Sequence, residues 1–541
     1  MLLAVLPIVA VGLFAFSQGE KYFEMTRNLD IFSSLYKEVN KYYVDDVNPN
    51  EMIKNGIDAM LEELDPYTVY IPEDDIEDYR TSATGQYGGI GIQSNKINGR
   101  HLVLNLYKES PAIGAGMKIG DEILEIEGQS IVKLSDDEAG KLLKGQAGTT
   151  VNVTVMRQGN KKISFGIKRT KIQIPNISFQ KMIGEQIGYL RLREFTVHAG
   201  EDMQKALISL KDSGATKFII DLRGNPGGLL NQAVTICNYF VPQGKLVVQT
   251  KAKTNANSRS FATEEIPLYP DAPLVILIDG KSASASEIVS GVIQDYDRGV
   301  IIGQKSFGKG LVQVNRPLTF NSQLKVTTAK YYIPSGRCIQ ELDYVHKNAD
   351  GTARSMADSL KKKFSTANGR EVLEGGGIDP DILMANEELS SYTNNLLNSG
   401  LIFEYATQYF YAHDSISPPS IFQLSPSEYE SFVTWMSGRD FDNVTRVEQT
   451  LDILQNAAQE DQAYKKLVKD IEKIKLSLNN IKGEGLSKFR DEIKTALEHE
   501  IIKRYYLDEG VLEARLLSDP VVDSAESVLN NPVRYKQVLN K

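Results

Sequence analysis

A serine and a lysine, each set among small residues, are the side chains of this chain best suited to chemistry. Ser284 lies within residues 281–287 (KSASASE), and Lys309 lies within residues 306–313 (SFGKGLVQ). A serine hydroxyl is a weak nucleophile that needs a neighbouring base, and a desolvated lysine can act as that base. Serine and lysine are a known alternative to the Ser-His-Asp arrangement in acyl transfer. The two segments therefore predict an acyl-transfer centre.

Lys309 can act as a base only where its surroundings favour the neutral amine. A free lysine has a pKa of about 10.4, so lowering it to about 7 requires about 4–5 kcal/mol in favour of the neutral form. Burial without an acidic partner shifts the pKa in that direction. Residues 307–312 contain no carboxylate, and the glycines on both sides of Lys309 allow another segment to approach closely. This segment alone does not exclude the alternative, a surface lysine in a glycine-rich turn.

Ser284 follows a run of residues that predicts a buried strand. Residues 274–278 (LVILI) are continuously apolar, and residues 287–293 have the apolar spacing of a helix. A strand, a tight turn and a helix would present Ser284 at a helix N-terminus, where backbone N–H groups can stabilise an oxyanion. An ordinary helix cap is the alternative, because serine is a favoured N-cap residue.

A second pattern of strand, turn and helix supplies further hydrogen-bond donors. Residues 217–230 (KFIIDLRGNPGGLL) predict a buried strand, a glycine-rich turn and the start of a helix. Gly227 and Gly228 could offer backbone N–H groups with no side chain in the way. Together with the N–H group of Ala285 they would form an oxyanion hole. The sequence does not decide which of the two glycines would serve.

Three motifs together resemble those of the C-terminal processing (tail-specific, carboxyl-terminal) serine peptidases, peptidase family S41. They are residues 221–228 (DLRGNPGG), 282–287 (SASASE) and 307–313 (FGKGLVQ), and residues 64–71 (LDPYTVYI) resemble the family's N-terminal region. The resemblance implies a multidomain α/β protease core with ClpP/crotonase-like αβ layers, a PDZ domain, and helical N- and C-terminal regions.

The resemblance also assigns roles to residues of this chain. It implies that Ser284 is the nucleophile and that Lys309 is the general base. It further implies that Gln313 completes a triad by holding the amine through its side-chain carbonyl. The choice of Ser284 rests on the motif alignment alone, because periodicity does not separate it from Ser282 and Ser286.

Residues 85–170 look like a PDZ domain. Residues 86–92 (QYGGIGI) place glycines before a strand, which leaves backbone N–H groups for a terminal carboxylate, and the strand edge can accept an extended peptide. Residues 116–128 (GMKIGDEILEIEG) add a strand and a glycine-containing hairpin. A generic β-rich domain is the alternative. The peptide-binding residues expected from the pattern are Tyr87, Gly88, Gly89, Ile90, Gly91 and Ile92.

The length of 541 residues predicts several domains, because single cores stop growing at about 250–300 residues. Residues 1–16 are almost wholly apolar but short for a membrane span, which favours a signal peptide or an N-terminal anchor. The predicted organisation is an export segment at 1–18, a helical region at 19–84, the PDZ domain at 85–170, the catalytic core at 171–385 with a polar surface insertion at 341–374, and a helical C-terminal domain at 386–541.

Composition and spacing argue against several classes of function. The net charge of −9 and the pI of about 5.4 argue against nucleic acid as the main partner. Residues 303–310 nearly match a phosphate-binding P-loop, but Gly310 replaces the required hydroxyl residue and residues 311–314 predict a strand. The five histidines show no metal-ligand spacing, so we expect no metal and no cofactor. Cys237 and Cys338 are too few for a disulfide framework.

These observations predict an exported serine endopeptidase that recognises substrate C-termini through its PDZ domain and hydrolyses peptide bonds at a Ser-Lys-Gln centre. Expected partners are protein or peptide substrates, with membrane contact only through the N-terminal segment and a location in the bacterial cell envelope (periplasm). The sequence leaves open an adaptor or activator, a homo-oligomer, and a histidine-based triad as the second mechanism. The alternative function is a catalytically inactive PDZ scaffold or tail-binding chaperone.

Overall fold

A computed structural model describes most of the chain. The described residues are 5–348, 350–355, 359, 361–385, 388–439, 441, 446–460, 464, 466–483 and 485–541, without the side chains of 5–21, 446 and 476–483. The predicted export segment at 1–18 lies outside the residues whose side chains are described. Among the described residues, no helix is both long and apolar enough to cross a membrane.

The chain divides into two compact units, residues 1–73 with 313–327, and residues 74–312 with 328–541. The first unit holds α1 (Val5–Tyr42), α2 (Pro49–Glu62) and β1 (Val69–Ile71), with parts of β17 (Leu311–Pro317) and β18 (Gln323–Tyr332). β1 pairs antiparallel with residues 323–325 of β18. The expected N-terminal helical region at 19–84 thus also contains a strand, whose partner among the described residues, β18, is distant in sequence.

The second unit begins with a PDZ-like domain, in which the strand at Thr150–Arg157 buries every second residue from Val151 to Val155. Its main sheet has the order β3-β4-β5-β7-β8, with β6 beside β5, while β2 pairs antiparallel with β9. The elements are α3 (Ile76–Thr84), β2 (Gln86–Gly89), β3 (Ile92–Ile97), β4 (Arg100–Leu106), α4 (Pro111–Ala115), β5 (Glu122–Ile126), β6 (Gln129–Ser130), α5 (Asp136–Leu143), β7 (Thr150–Arg157), β8 (Lys161–Lys168) and β9 (Thr170–Gln173).

The core that follows is a sheet buried on both faces, as its continuous apolar strands predict. The strand order is β10-β11-β12-β15-β16-β23, parallel except for the β10–β11 pair. The elements are β10 (Ile177–Ile183), β11 (Ile187–Leu192), α6 (Ala199–Asp212), β12 (Lys217–Asp221), α7 (Leu230–Asn238), β13 (Leu246–Ala252), β14 (Arg259–Ala262), β15 (Leu274–Ile278), α8 (Ala285–Asp295), β16 (Val300–Gly303) and β23 (Ile382–Leu383).

Two short antiparallel strand pairs lie in the predicted insertion at 341–374. They join β19 (Leu342–Asp343) to β20 (Arg354–Ser355), and β21 (Lys363–Ser365) to β22 (Glu371–Leu373). Val372 is buried, so the described part of this segment contributes to packing as well as to the surface.

The C-terminal region is helical. Its helices are α9 (Ser391–Asn398), α10 (Leu401–Ala412), α11 (Pro426–Met436), α12 (Arg446–Glu460), α13 (Leu467–Gly483), α14 (Gly485–Lys488), α15 (Arg490–Leu516), α16 (Pro520–Leu529) and α17 (Pro532–Val538). Residues of α9, α10, α11 and α15 share one apolar core. α16 and α17 instead pack on one face of the parallel sheet, against residues such as Val275 and Val300. The expected fold class, an α/β core with a PDZ domain and helical ends, is confirmed.

Helix α15 bends where it meets the PDZ-like domain. Leu507 has φ 57° and ψ −163°, a conformation costly for a residue with a side chain. Leu507 packs against the apolar core of the PDZ-like domain, and the Asp508 carboxylate accepts a 2.6 Å hydrogen bond from Asn105 Nδ2. Lys108 and Glu509 form an exposed ion pair at 2.9 Å. The bend thus directs two acidic side chains of α15 onto β4 and the loop after it.

Candidate active site

Ser284 stands between β15 and α8, as the sequence predicts, and its backbone is strained. Its φ of 54° and ψ of −112° lie outside the favoured regions for a residue with a Cβ atom. Neighbouring bonds hold this conformation: the Ala283 N–H and the Ser286 hydroxyl both donate to the Asn225 carbonyl at 3.0 Å. Such strain at a turn before a helix is typical of a functional residue.

The carboxylate of Glu287 is a buried hub between the serine segment and the lysine segment. Oε2 accepts the N–H groups of Ser284 at 2.7 Å and of Lys309 at 2.9 Å. Oε1 accepts the Ser306 hydroxyl at 2.6 Å and the Gly308 N–H at 2.7 Å. Burial raises the pKa of Glu287 to about 7, while the four donors oppose that rise by favouring the ionised form.

Tyr331 makes a second bridge between the same two residues. Its hydroxyl oxygen lies 3.1 Å from the Ser284 carbonyl oxygen and 2.5 Å from the Lys309 carbonyl oxygen. The Tyr331 N–H also donates to the Gly310 carbonyl at 3.0 Å. The structure therefore brings Ser284 and Lys309 together, with their backbones fixed by one carboxylate and one phenol.

The lysine segment packs closely on another part of the chain, as its glycines predict. A Cβ atom on Gly308 would lie 2.7 Å from the Glu341 Cβ atom, and one on Gly310 would lie 2.7 Å from the Gln340 nitrogen. Lys309 itself is half-buried. A longer residue at either glycine would therefore displace the base.

The two glycines that could supply the oxyanion hole differ in whether their backbone N–H group already donates to another group of the protein. Gly227 lies against the nucleophile, since a Cβ atom there would be 2.8 Å from Ser284 Cβ and 2.9 Å from the Ala285 nitrogen. Its N–H, however, donates to Asn225 Oδ1 at 2.9 Å. Within the described residues the Gly228 N–H donates to no protein group. Gly228 is therefore the better candidate donor, together with Ala285.

Gln313 belongs to the first compact unit. Its Nε2 atom donates to Thr327 Oγ1 at 3.1 Å, which leaves the side-chain carbonyl oxygen as its other hydrogen-bonding atom. The neighbouring Thr68 and Asp65 continue this network, through contacts of 3.4 Å between the two threonine hydroxyls and 3.1 Å from Thr68 to the carboxylate. The role of Gln313 stays a prediction.

The charged residues of the DLRGNPGG motif form a structural clasp. Arg223 Nη2 lies 2.7 Å from Asp221 Oδ2 and 2.7 Å from Asp519 Oδ2, at the start of α16. The Tyr189 hydroxyl donates to Asp221 at 2.6 Å, and Arg223 foremost lowers the pKa of that buried carboxyl against the effect of burial. The clasp thus fastens the loop at residues 222–229 to the C-terminal helices. We call this segment the oxyanion loop, after the predicted role of its glycines.

The predicted peptide-binding residues span the end of β2, the turn at Ile90 and Gly91, and the start of the edge strand β3. Residues 86–89 pair with β9, Ile90 is buried, and β3 begins at Ile92. Gly91 has φ 79° and a Cβ atom there would lie 2.3 Å from Ser110 Cβ, so only glycine fits. Among the described strands β3 pairs only with β4, and α5 packs beside it. The unpaired edge of β3 is therefore the candidate groove.

Sequence reasoning missed three residues that build this site, namely Glu287, Tyr331 and Asn225. The spacing Ser284-x-x-Glu287 is that of a capping box, a signal that could have singled out the glutamate. Its contacts with Ser306 and Gly308 depend on tertiary structure. The expectation that Cys237 is buried is confirmed, and both cysteines are free thiols.

Comparisons with known proteins match three parts of the chain to known families. The sequence model of peptidase family S41 matches residues 186–350, that of the PDZ domain matches 88–168, and that of a probable PDZ-protease C-terminal helical domain matches 392–529. A carboxy-terminal-processing protease of Bartonella bacilliformis is 35% identical over 62% of this chain and 77% of its own length.

Two further matches are of the same kind. A probable CtpA-like serine protease of Staphylococcus aureus is 33% identical over 58% of this chain and 62% of its own length. The solved structure of a photosystem II D1 C-terminal processing protease is 23% identical, covers 66% of this chain and 93% of that chain, and has a TM-score of 0.35. On the family match and the Bartonella relative, the chain belongs to peptidase family S41.

Proposed function

We propose that this protein is a serine endopeptidase of the C-terminal processing type, with Ser284 as nucleophile and Lys309 as general base. The observation that carries the proposal is the shared carboxylate oxygen of Glu287, which accepts the backbone N–H groups of both residues. A nucleophile and its base must be held in register for proton transfer. A buried acceptor that binds both backbones provides that register.

In the proposed reaction the neutral Lys309 amine takes the hydroxyl proton as Ser284 Oγ attacks a peptide carbonyl carbon. The oxyanion of the tetrahedral intermediate accepts the N–H groups of Ala285 and Gly228. The resulting lysine ammonium gives its proton to the leaving amine, and an acyl-enzyme remains. Water then adds to the acyl-enzyme with Lys309 as base, which releases the new carboxylate and restores Ser284. Gln313 is proposed to hold the lysine amine.

Substrate recognition is proposed to occur at the PDZ-like domain. The unpaired edge of β3 can take an extended peptide as an added strand, and the turn at Ile90 and Gly91 between β2 and β3 can bind the terminal carboxylate through backbone N–H groups. The names of the relatives, carboxy-terminal-processing protease and CtpA-like serine protease, support this mode. We further propose an exported protein of the bacterial cell envelope, which fractionation of cells would test.

Cleavage of one unstructured protein carrying either an apolar or a charged C-terminus tests the proposal. Wild type should cleave the apolar-tailed form faster, and Ser284→Ala should cleave neither. Ser286→Ala is the matched control: it removes a motif hydroxyl whose bond to the Asn225 carbonyl, at 3.0 Å, supports the turn, so cleavage should be reduced but not abolished. Activity in Ser284→Ala, or loss of activity only in Ser286→Ala, would show that the nucleophile is misassigned.

The lysine role has its own test. Lys309→Ala and Lys309→Arg should both abolish cleavage, because a guanidinium cannot be deprotonated under these conditions. Full activity in Lys309→Arg would contradict the general-base role. If wild type bound tails but never cleaved them, the inactive scaffold or tail-binding chaperone would be the better description.

A further inference from the structure

A cavity of about 270 Å³ lies between the catalytic core and helix α15. We call it the arginine cavity, because most of its charged lining is cationic. Its walls come from β10, the end of β11, the oxyanion loop at Arg223 and Gly224, and helix α15. The cationic side chains that line it are Arg191, Arg193, Arg223, Lys503 and Arg515.

Each carboxylate around the arginine cavity already forms a salt bridge with an arginine or lysine side chain. Asp221 and Asp519 are both paired with Arg223 at 2.7 Å. Glu500 is held by Arg504 at 2.9 Å. Asp508 accepts from Asn105 Nδ2 at 2.6 Å and lies 3.4 Å from Lys503 Nζ, which is its one salt bridge among the described residues.

Three guanidiniums of the lining have no carboxylate of their own. Within the part of the chain that the structure describes, Arg191, Arg193 and Arg515 form no salt bridge. Arg191 donates one hydrogen bond, to the Arg223 carbonyl at 3.1 Å. A guanidinium carries five N–H donors, so most of the hydrogen-bonding capacity of these three side chains remains available to a ligand.

The pKa shifts of two lining residues agree with a surplus of positive charge in the arginine cavity. Burial foremost, and then the neighbouring Arg191, lower the pKa of Arg515, against the opposing effects of Asp508, Glu500 and Asp519. Burial and Arg515 lower the pKa of His499, which also lines the cavity, to about 4. The imidazole is therefore neutral at pH 7 and adds no further charge. Arg191 is half-buried and Arg515 is exposed, so the repulsion between these two like charges costs a modest free energy that an anion would offset.

We propose that the arginine cavity binds a tetrahedral oxyanion of the phosphate type, through Arg191, Arg193 and Arg515. The planar fork of a guanidinium matches two oxygens of such an anion, and three guanidiniums can use the four oxygens of a tetrahedral group where a carboxylate offers two. The volume holds one phosphate group with a few waters, since a water occupies about 30 Å³ of liquid. This inference is independent of the proposed peptidase chemistry.

The position of the cavity gives the bound anion a structural effect. Arg191 belongs to β11, while Arg515 belongs to the last turn of α15. An anion that contacts both side chains joins the sheet to the helical domain beside Gly224, a residue of the oxyanion loop. Binding to the folded state alone raises the melting temperature by mass action.

Thermal melting and calorimetry of the full-length protein with inorganic phosphate test the proposal. Saturating phosphate should raise the wild-type melting temperature by about 2 °C or more over sodium chloride of equal ionic strength. Arg515→Gln should weaken phosphate binding about tenfold or more, because it removes a charge-assisted fork. Without phosphate, Arg515→Gln should melt at or above the wild-type temperature, because the repulsion from Arg191 is relieved.

Matched controls separate this site from general screening. Arg534→Gln, on the exposed side of α17, should keep the wild-type phosphate response. Arg193→Gln is a second cavity variant and should weaken binding as Arg515→Gln does. Sodium acetate at the same ionic strength should give a smaller rise than phosphate. An unchanged phosphate response in both cavity variants, or an equal response to sodium chloride, would overturn the proposal.

Discussion

Replacing Glu287 by glutamine separates the charge of the buried hub from its shape. Glutamine keeps one acceptor oxygen and replaces the other by an NH2 group. Ser306 Oγ already accepts the Ile378 N–H at 2.7 Å and can also accept from that NH2 group. The favoured orientation therefore directs the glutamine oxygen to Ser284 and Lys309. The Gly308 N–H is then the donor left facing an NH2 group, which costs about 1–3 kcal/mol of stability.

The expected effect on catalysis is moderate. Neutral hydrogen bonds are about half as strong as charge-assisted ones. The bridge between Ser284 and Lys309, the proposed nucleophile and base, survives in weakened form, so we expect kcat to fall about tenfold, or about 1.4 kcal/mol in barrier. Glu287→Ala removes both acceptor oxygens and should lower kcat by about a hundredfold or more. Glu138→Gln is the control, because Glu138 accepts the Ser135 N–H at 2.7 Å in an exposed capping box of the same spacing.

The dependence on pH gives the decisive comparison. The Glu287 pKa of about 7 lies above the ordinary value of 4.5, so this group's stabilising contribution is complete below about pH 4.5 and is lost as pH rises through about 7. The size of that loss is about 3 kcal/mol. The stability of wild type relative to Glu287→Gln should therefore be greater at about pH 5 than at about pH 8, by about 2.5 kcal/mol.

Urea titration at both pH values measures that difference. Activity should instead increase as pH rises through about 7, because only the ionised carboxylate of Glu287 accepts all four donors. Wild-type activity should thus fall more steeply below about pH 7 than that of Glu287→Gln. A stability difference that does not change with pH, together with superimposable activity profiles, would refute the reasoning about the hub.

Three other perturbations follow from the site and its supports. Tyr331→Phe removes the hydroxyl that bridges the two catalytic backbones and should lower kcat about tenfold with a loss of about 1 kcal/mol in stability, measured by steady-state kinetics and urea titration. Gly228→Ala places a Cβ atom 2.4 Å from the Phe195 carbonyl at φ 140°, so activity and melting temperature should both fall. Asp519→Asn leaves Arg223 with one carboxylate and should cost about 1–3 kcal/mol in a urea titration.

The sequence predicts the elements that carry the chemistry because each has a local signature. The run at 274–278 is apolar on every residue, and in the structure its side chains pack into apolar cores on both faces of the sheet. The nucleophile at the start of a helix follows from the small residues between that strand and the next apolar repeat. The strand at 311–314, which argues against a P-loop, is also confirmed.

The contacts that assemble the site have no local signature. Glu287 receives bonds from Ser306 and Gly308, and Tyr331 from β18 completes the bridge, so their roles depend on how distant segments meet. The amphipathic pattern of α16 predicts an apolar face but does not name the sheet that it covers. β1 is only three residues long and pairs with residues 323–325, which no periodicity reveals.

The packing of α16 and α17 sets the order in which the protein can be completed during synthesis. One face of the central sheet, including Val275 and Val300, is covered by Val522, Val528 and Leu539. The strands of the sheet are therefore synthesised long before α16 and α17, which cover them. Asp519, which pairs with Arg223 in the clasp, is synthesised equally late. Until then the loop at residues 222–229 lacks the anchor that Asp519 provides, so a nascent chain carries Ser284 and Lys309 before their surroundings are complete.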